Sequence, residues 1–293
     1  MTRDADLAGA AEGTRPLRWW LVATAVAVVG TIAVGGATRL TESGLSITEW
    51  QPITGVVPPL TETAWEAAYQ QYLRIPQAQT VHAGITIDQF RAIYWWEWAH
   101  RLVARAVGLV VLIPFLALWW RRRIPPGLLV RMAALPLLVL AQGALGWYMV
   151  RSGLAERTSV SPYRLVAHLG LALLIFGIAV WTASALWPGA RERATAGVRR
   201  TLALLAAGVL VTMMSGGFVA GLDAGKIFNE FPLMGGRVVP DGYAGAGGWR
   251  NLFENPIAAQ FNHRALAVVL TLAIWAAWLA AERRWSPVAT RWV

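Results

Sequence analysis

Tyr94-Trp95-Trp96-Glu97-Trp98-Ala99-His100-Arg101 opens a long apolar run, and the fold turns on how that stretch is read. Six apolar runs, each about 20 residues and so long enough to cross a bilayer, occupy residues 17–37, 93–120, 128–150, 163–187, 201–221 and 256–281. Glu97 is the only acidic side chain inside any of them. An ionisable group at membrane depth is expensive and marks a functional site. Glu97 and His100, three residues apart, share one face of a helix. A carboxylate and an imidazole presented together suggest a metal or haem ligand beside a group that handles protons.

The composition agrees with a membrane setting. Of 293 residues, 56% are hydrophobic and 14% charged. The expected fold is an all-α, polytopic membrane helix bundle with six transmembrane helices. The net charge of +10 is a matter of topology. Segments 1–18, 121–131, 188–200 and 282–293 hold 14 of the 26 Lys+Arg, and the alternate segments 38–92, 151–162 and 222–255 hold eight, with ten of the 16 acids. That is the positive-inside pattern, which puts both termini in the cytoplasm and makes nucleic acid an unsuitable partner. The absence of cysteine excludes disulfides, iron–sulfur clusters and thiolate haem ligation. Residues 1–16 form a polar tail with Asp4, Asp6 and Glu12, unlike a signal or transit peptide.

The chain divides into a first four-helix bundle over 17–187, with an outer loop at 38–92, a hydrophilic linker at 188–200, and a second part at 201–293. The second part starts over. Residues 215–240 lie on 34–59 without a gap at an offset of 181: Gly216-Gly217 on Gly35-Gly36, Asp223 on Glu42, Gly225 on Gly44, Glu230 on Glu49, Pro240 on Pro59. Phe261-Asn262-His263-Arg264 repeats Trp98-Ala99-His100-Arg101. Both copies enter the membrane from the same side, a parallel pseudo-repeat. Helices three and four have no counterparts, so the second bundle reads as incomplete. In the outer loop, Trp65, Tyr69 and Tyr72 at helical spacing suggest a short amphipathic helix on the membrane surface.

Three histidines fall at one depth, five to seven residues inside the outer ends of their helices, or roughly 8 to 11 Å at 1.5 Å per residue: His100, His168 and His263. A lone membrane histidine is as readily a hydrogen-bonded packing residue. Three at a common depth, two followed by Arg in a repeated motif, favour haem ligation by neutral imidazole, with His100 and His168 as a facing pair. Arg101 and Arg264 are candidates for haem propionates, with snorkelling to the interface as the competing reading. His82, in a loop beside Gly84, reads as solvated. Trp19, Trp20, Trp95, Trp96, Trp119 and Trp120 belong to an aromatic belt, and Trp98 is a candidate pocket wall. Gly143 and Gly146 read as helix-packing residues.

On these residues the sequence resembles the haem A synthase family in its alphaproteobacterial and mitochondrial form. The matching pieces are Gly35-Gly36-Ala37-Thr38-Arg39-Leu40-Thr41-Glu42-Ser43-Gly44-Leu45-Ser46, Glu49-Trp50-x-Pro52, the Tyr94 to Arg101 stretch, Ala220 to Gly225 with Asn229 to Gly236, and Phe261 to Arg264. The resemblance implies two four-helix bundles and an oxidoreductase that converts the methyl group of haem O to the formyl group of haem A by successive hydroxylations with water-derived oxygen. It implies His100 and His168 as iron ligands of the substrate haem, Glu97 as the catalytic carboxylate, and His263 as an axial ligand of a haem b cofactor. Arg39, Arg101 and Arg264 become propionate contacts. A buried carboxylate suits the chemistry because burial alters its proton affinity. The implied partners are haem O, membrane lipid, a haem O synthase (protohaem farnesyltransferase), an electron acceptor and a further copy of the chain. The implied location is the bacterial inner membrane, with the haem sites towards the periplasm. Against the family pattern, helices seven and eight, and the histidine that completes the haem b site, are not in the sequence.

Three other functions fit parts of the pattern: a haem carrier without chemistry, a bis-histidine membrane cytochrome, and a transporter. Glu97 separates the first reading from the next two, since neither needs a membrane-buried carboxylate three residues from a histidine.

Overall fold

The computed structural model describes residues 13–155, 158–187, 195–245 and 247–285. The polar tail and the linker therefore fall largely outside the described residues. The long helices are α1 (Arg15–Leu40), α3 (Ile87–Trp120), α4 (Pro126–Ala155), α5 (Pro162–Ala185), α6 (Ala196–Gly221) and α7 (Pro256–Trp285), and a shorter helix, α2 (Glu62–Tyr72), lies in the first outer loop. The six long helices are apolar and long enough to cross a membrane, and no strand occurs among the described residues. The protein is an all-α, multi-pass membrane protein. The chain divides into two compact units, residues 1–191 and 192–293.

In the first unit α1 packs on α3 and α5, and α4 packs on the same two helices, closing a four-helix ring. One half of the ring is densely filled by a cluster that includes Leu17, Leu21, Val111, Met132, Leu135, Ile175 and Ala179. α3 contains Pro114, which has no N–H to give the Val110 carbonyl one turn back. The indole N–H of Trp20, on α1, donates to that carbonyl at 3.0 Å. Trp20 is thus buried and belongs to the bundle, correcting its assignment to the aromatic belt, whereas Trp19, Trp119 and Trp120 are exposed as belt residues are.

α3 begins at Ile87, about two turns before the apolar run. The hydroxyl of Thr86 accepts from the Gln89 backbone while the Gln89 side chain accepts from the Thr86 N–H, a reciprocal cap. Capping, which hydropathy does not register, sets the start. The added turns carry Phe90, and Tyr94 follows one turn on; Trp65 and Tyr72 of α2 pack edge-on or tilted against this pair. With Leu45, Ile75, Ala78 and Val160 these form a second core over the outer end of the bundle. The apolar face of α2 is therefore covered by protein, not by lipid. His82 is not a free loop residue either. Its Nδ1 lies 2.5 Å from the Tyr72 hydroxyl, and its Nε2 is 3.6 Å from Glu42. Burial first, then the carboxylates of Glu97 and Glu42, pushes the Tyr72 phenol above its ordinary value.

In the second unit α6 packs on α7. The loop at 222–255 ends at Asn255, whose side chain accepts from the N–H groups of Ile257 and Ala258 at 2.9 and 3.4 Å and so caps α7. The internal repeat extends to the backbone. Glu42 and Asp223, matched by the offset of 181, have φ of 55° and 53°, a left-handed conformation uncommon outside glycine. Each stands just past the end of its helix, α1 or α6.

Candidate functional site

Glu97 lies in the third turn of α3 and is 2% exposed. Two donors reach Oε2: the Ser46 hydroxyl at 2.8 Å and the Ile47 N–H at 2.7 Å. Arg101, one turn on, supplies Nε at 3.0 Å and Nη2 at 2.6 Å to Oε1. All four contacts come from donors, the complement of an ionised carboxylate. The sequence suggests a carboxyl governed by burial alone; the structure surrounds it with hydrogen-bond donors from the outer loop and from its own helix.

Arg101 also gives Nη1 to the Glu49 carbonyl at 2.9 Å and Nη2 to the Ile47 carbonyl at 2.7 Å. Arg105 does the same one turn lower, to Pro52 at 2.9 Å and Gln51 at 2.7 Å. These residues fasten the loop after α1 to α3. The second unit repeats the device: Arg264 donates to the carbonyls of Glu230 at 2.7 Å and Phe228 at 2.6 Å, the positions matched to Glu49 and Ile47. Two of the three guanidiniums expected at propionates, Arg101 and Arg264, thus engage loop carbonyls here. Arg39, the third, is in the last turn of α1.

The position matched to Glu97 in the second unit is Gln260, 3% exposed, whose Nε2 donates to the Phe228 carbonyl at 2.9 Å. The two copies share a buried side chain of one shape, charged in the first and neutral in the second. Extending the repeat by one residue before Phe261 puts Gln260 on Glu97, so the sequence held the signal.

His100 and His168 lie in the first unit, within electrostatic reach of one another. Each has a buried Nδ1 with no hydrogen-bond partner in the chain. The residues around them, Ile32 to Ala37, Trp98 to Val103 and His168 to Leu171, are mostly half-buried. Two imidazoles with unsatisfied ring nitrogens fit an iron-bearing group that they could ligate. Trp98, the candidate wall, donates from its indole to the Val56 carbonyl at 3.2 Å. Gln142, on α4, donates to the His168 carbonyl at 2.9 Å.

His263, in the second unit, is held differently. Its Nδ1 is 2.8 Å from the Ser215 hydroxyl, and that hydroxyl donates to the Thr212 carbonyl at 2.8 Å. A hydroxyl has one hydrogen. Given to Thr212, it leaves the serine oxygen to accept Nδ1–H, so the Nε2 lone pair is free for a metal.

A multi-pass all-α protein with half-buried histidines on three of its apolar helices belongs to the class of integral membrane helix proteins. Comparison makes the assignment narrower. The family model described as cytochrome oxidase assembly protein, COX15-CtaA, matches residues 18–293, and the chain belongs to that haem A synthase family. It is 45% identical over 278 residues to the heme A synthase of Parvibaculum lavamentivorans, covering 94% of this chain and 81% of the relative. It is 48% identical over 263 residues to that of Caulobacter vibrioides, covering 89% and 77%. It is 49% identical over 264 residues to that of Azorhizobium caulinodans, covering 89% and 76%. No solved structure matches the chain.

Proposed function

We propose that this protein is a membrane oxidoreductase that oxidises the methyl group of haem O to the formyl group of haem A. His100 and His168 ligate the substrate iron, and Glu97 is the catalytic carboxylate beside the reacting methyl. The observation that carries this reading is the contrast between Glu97 and Gln260. Two copies of one scaffold each bury a side chain three residues before a histidine, and only the copy with the histidine pair has an ionisable group there.

The reaction removes two electrons and two protons at each of two hydroxylations. Water supplies the oxygen, and the second product loses water to leave the aldehyde. Glu97 accepts the proton of the attacking water, and Arg101, Ser46 and the Ile47 N–H hold the carboxylate in place while it does so. His263 would hold a haem b in the second unit through Nε2, and that group would supply one-electron transfer to an external acceptor. The neutral Gln260 suits a site that moves electrons and no protons. Arg39 would be a counter-charge for a propionate, while Arg101 and Arg264 hold the loops through their carbonyls. Haem O would arrive from a haem O synthase in the bacterial inner membrane, with both termini cytoplasmic and the sites towards the periplasm.

The test is to express the chain and its Glu97→Gln variant in membranes supplied with haem O and to weigh the extracted haems. The unaltered chain is expected to yield haem A or its hydroxylated precursor. The variant is expected to retain bound haem O and to lose product by at least about 100-fold, the scale of a general base. Equal haem A from both would remove Glu97 from catalysis. Haem O alone from both would indicate a carrier.

A further inference from the structure

Each of the three membrane histidines presses one edge of its ring against a glycine of the preceding long helix. A Cβ built on Gly35 would stand 2.8 Å from Cε1 of His100; on Gly146, 3.0 Å from Cε1 of His168; on Gly216, 3.0 Å from Cε1 of His263. The three contacts join α1 to α3, α4 to α5, and α6 to α7. In every case Cε1, the carbon between the two ring nitrogens, is the nearest atom, so both nitrogens are directed to the sides. Gly35 and Gly216 are matched residues of the internal repeat. Gly146 lies outside the repeat and makes the same contact. Glycines elsewhere in these helices also admit side chains, Leu45 at Gly153 and Leu270 at Gly208, which is ordinary small-to-large packing. The neighbours Gly36 and Gly143 face nothing within 4 Å.

We infer that Gly35, Gly146 and Gly216 are positioning residues for His100, His168 and His263, setting the tilt and depth of each imidazole for the iron it ligates. The inference rests on the ligand assignments proposed above. A methyl group at 2.8 to 3.0 Å must be relieved to at least 3.4 Å, where contacts become ordinary. The ring would therefore move by about 0.4 to 0.6 Å, comparable to the ~0.5 Å within which a functional constellation has to be held. The ring cannot escape by rotating one nitrogen away, because the edge in contact is the one they share.

The experiment uses the full chain purified from membranes, with haem per protein and the optical and electron-paramagnetic-resonance spectra as readouts. Gly35→Ala and Gly146→Ala are expected to lose the six-coordinate low-spin signature, or to lower bound haem about tenfold, the scale of a disturbed supporting residue at a metal site. Gly216→Ala is expected to alter the signal that depends on His263. Gly36→Ala and Gly143→Ala are expected to leave all signals unchanged. Haem and spectra in Gly35→Ala and Gly146→Ala equal to those of the unaltered chain would overturn the inference.

His100→Ala and His168→Ala separate the two readings. If they leave haem and spectrum unchanged, the ligand assignment fails, and the positioning role with it. If they abolish the signature and the glycine variants do not, the positioning role alone fails. Should a glycine variant not accumulate, it is paired with its histidine variant, as in Gly35→Ala with His100→Ala. Restored accumulation means that the ring was the obstacle and supports the inference; failure in both backgrounds means general helix packing and overturns it.

Discussion

Arg101 joins a buried carboxylate to a loop. Removing it leaves Glu97 without its cation and the carbonyls of Ile47 and Glu49 without their donor. Breaking a buried pair in this way costs about 3–5 kcal/mol, so Arg101→Ala is expected to lower the thermal midpoint of the detergent-solubilised protein markedly. Arg101→Lys should recover only part, because an ammonium cannot make the forked contact. Arg264→Ala, beside neutral Gln260, should cost less, about 0.5–1.5 kcal/mol per lost bond, because the Phe228 carbonyl keeps the Gln260 amide and the Glu230 contact is open to solvent. Equal losses at the two arginines would refute the role assigned to the Glu97 charge. Tyr72 offers a pH test. Its folded pKa is raised by burial and by Glu97 and Glu42, above the ordinary 10.0. Below about pH 10 both folded and unfolded chains keep the proton and the contribution is fully present. As pH rises beyond that, the unfolded phenol ionises first and stability falls, by up to about 1.4 kcal/mol per pH unit. Tyr72→Phe should flatten this alkaline decline in a plot of thermal midpoint against pH; the same slope in both proteins would show that Tyr72 is not the titrating group.

At the scale of elements, α1 and α3 are tied through a defect in one of them. Pro114 orphans the Val110 carbonyl, and Trp20 satisfies it. Trp20→Phe keeps the apolar bulk but strands the carbonyl, at a cost of about 1–3 kcal/mol. In a Pro114→Ala background, the new N–H can reach Val110, and Trp20→Phe should then be nearly neutral. A double-mutant cycle in thermal stability reads the coupling directly, and additive losses would show that the indole bond contributes nothing. The same scale explains why some elements were legible in the sequence and others were not. Hydropathy finds the six spans because a bilayer-length apolar run leaves few alternatives. It misplaces the start of α3 by about two turns, because Thr86 and Gln89 cap a helix that continues out of the apolar stretch. It assigns α2 to the membrane surface, because an amphipathic face has the same pattern whether lipid or Phe90 and Tyr94 cover it.

For the whole molecule, the charge pattern gives a topology, and the chain suits the measurement because it contains no cysteine. Single cysteines at Gln51 or Asp241, both exposed and in loops that the charge pattern predicts to be periplasmic, are expected to react with an impermeant maleimide in intact cells. One at Arg121, in the turn between α3 and α4, should react only after lysis. Labelling of Arg121→Cys in intact cells would invert the topology.

The sequence by itself determined the all-α class, the number of described spans, the internal repeat and the identity of the candidate residues. Each of these follows from local pattern: run length, charge alternation, or a motif met twice. The family resemblance rests on the same motifs. Only the tertiary structure decided what those residues touch. It showed four donors around Glu97, the engagement of Arg101 and Arg264 by loop carbonyls, the serine behind His263, and a glycine against each of His100, His168 and His263. Many of those contacts join residues far apart in the chain, as Ser46 meets Glu97 and Gly35 meets His100. No periodicity in one segment encodes which atom of another will meet it; that is fixed when the helices pack and every buried polar group has to find its partner.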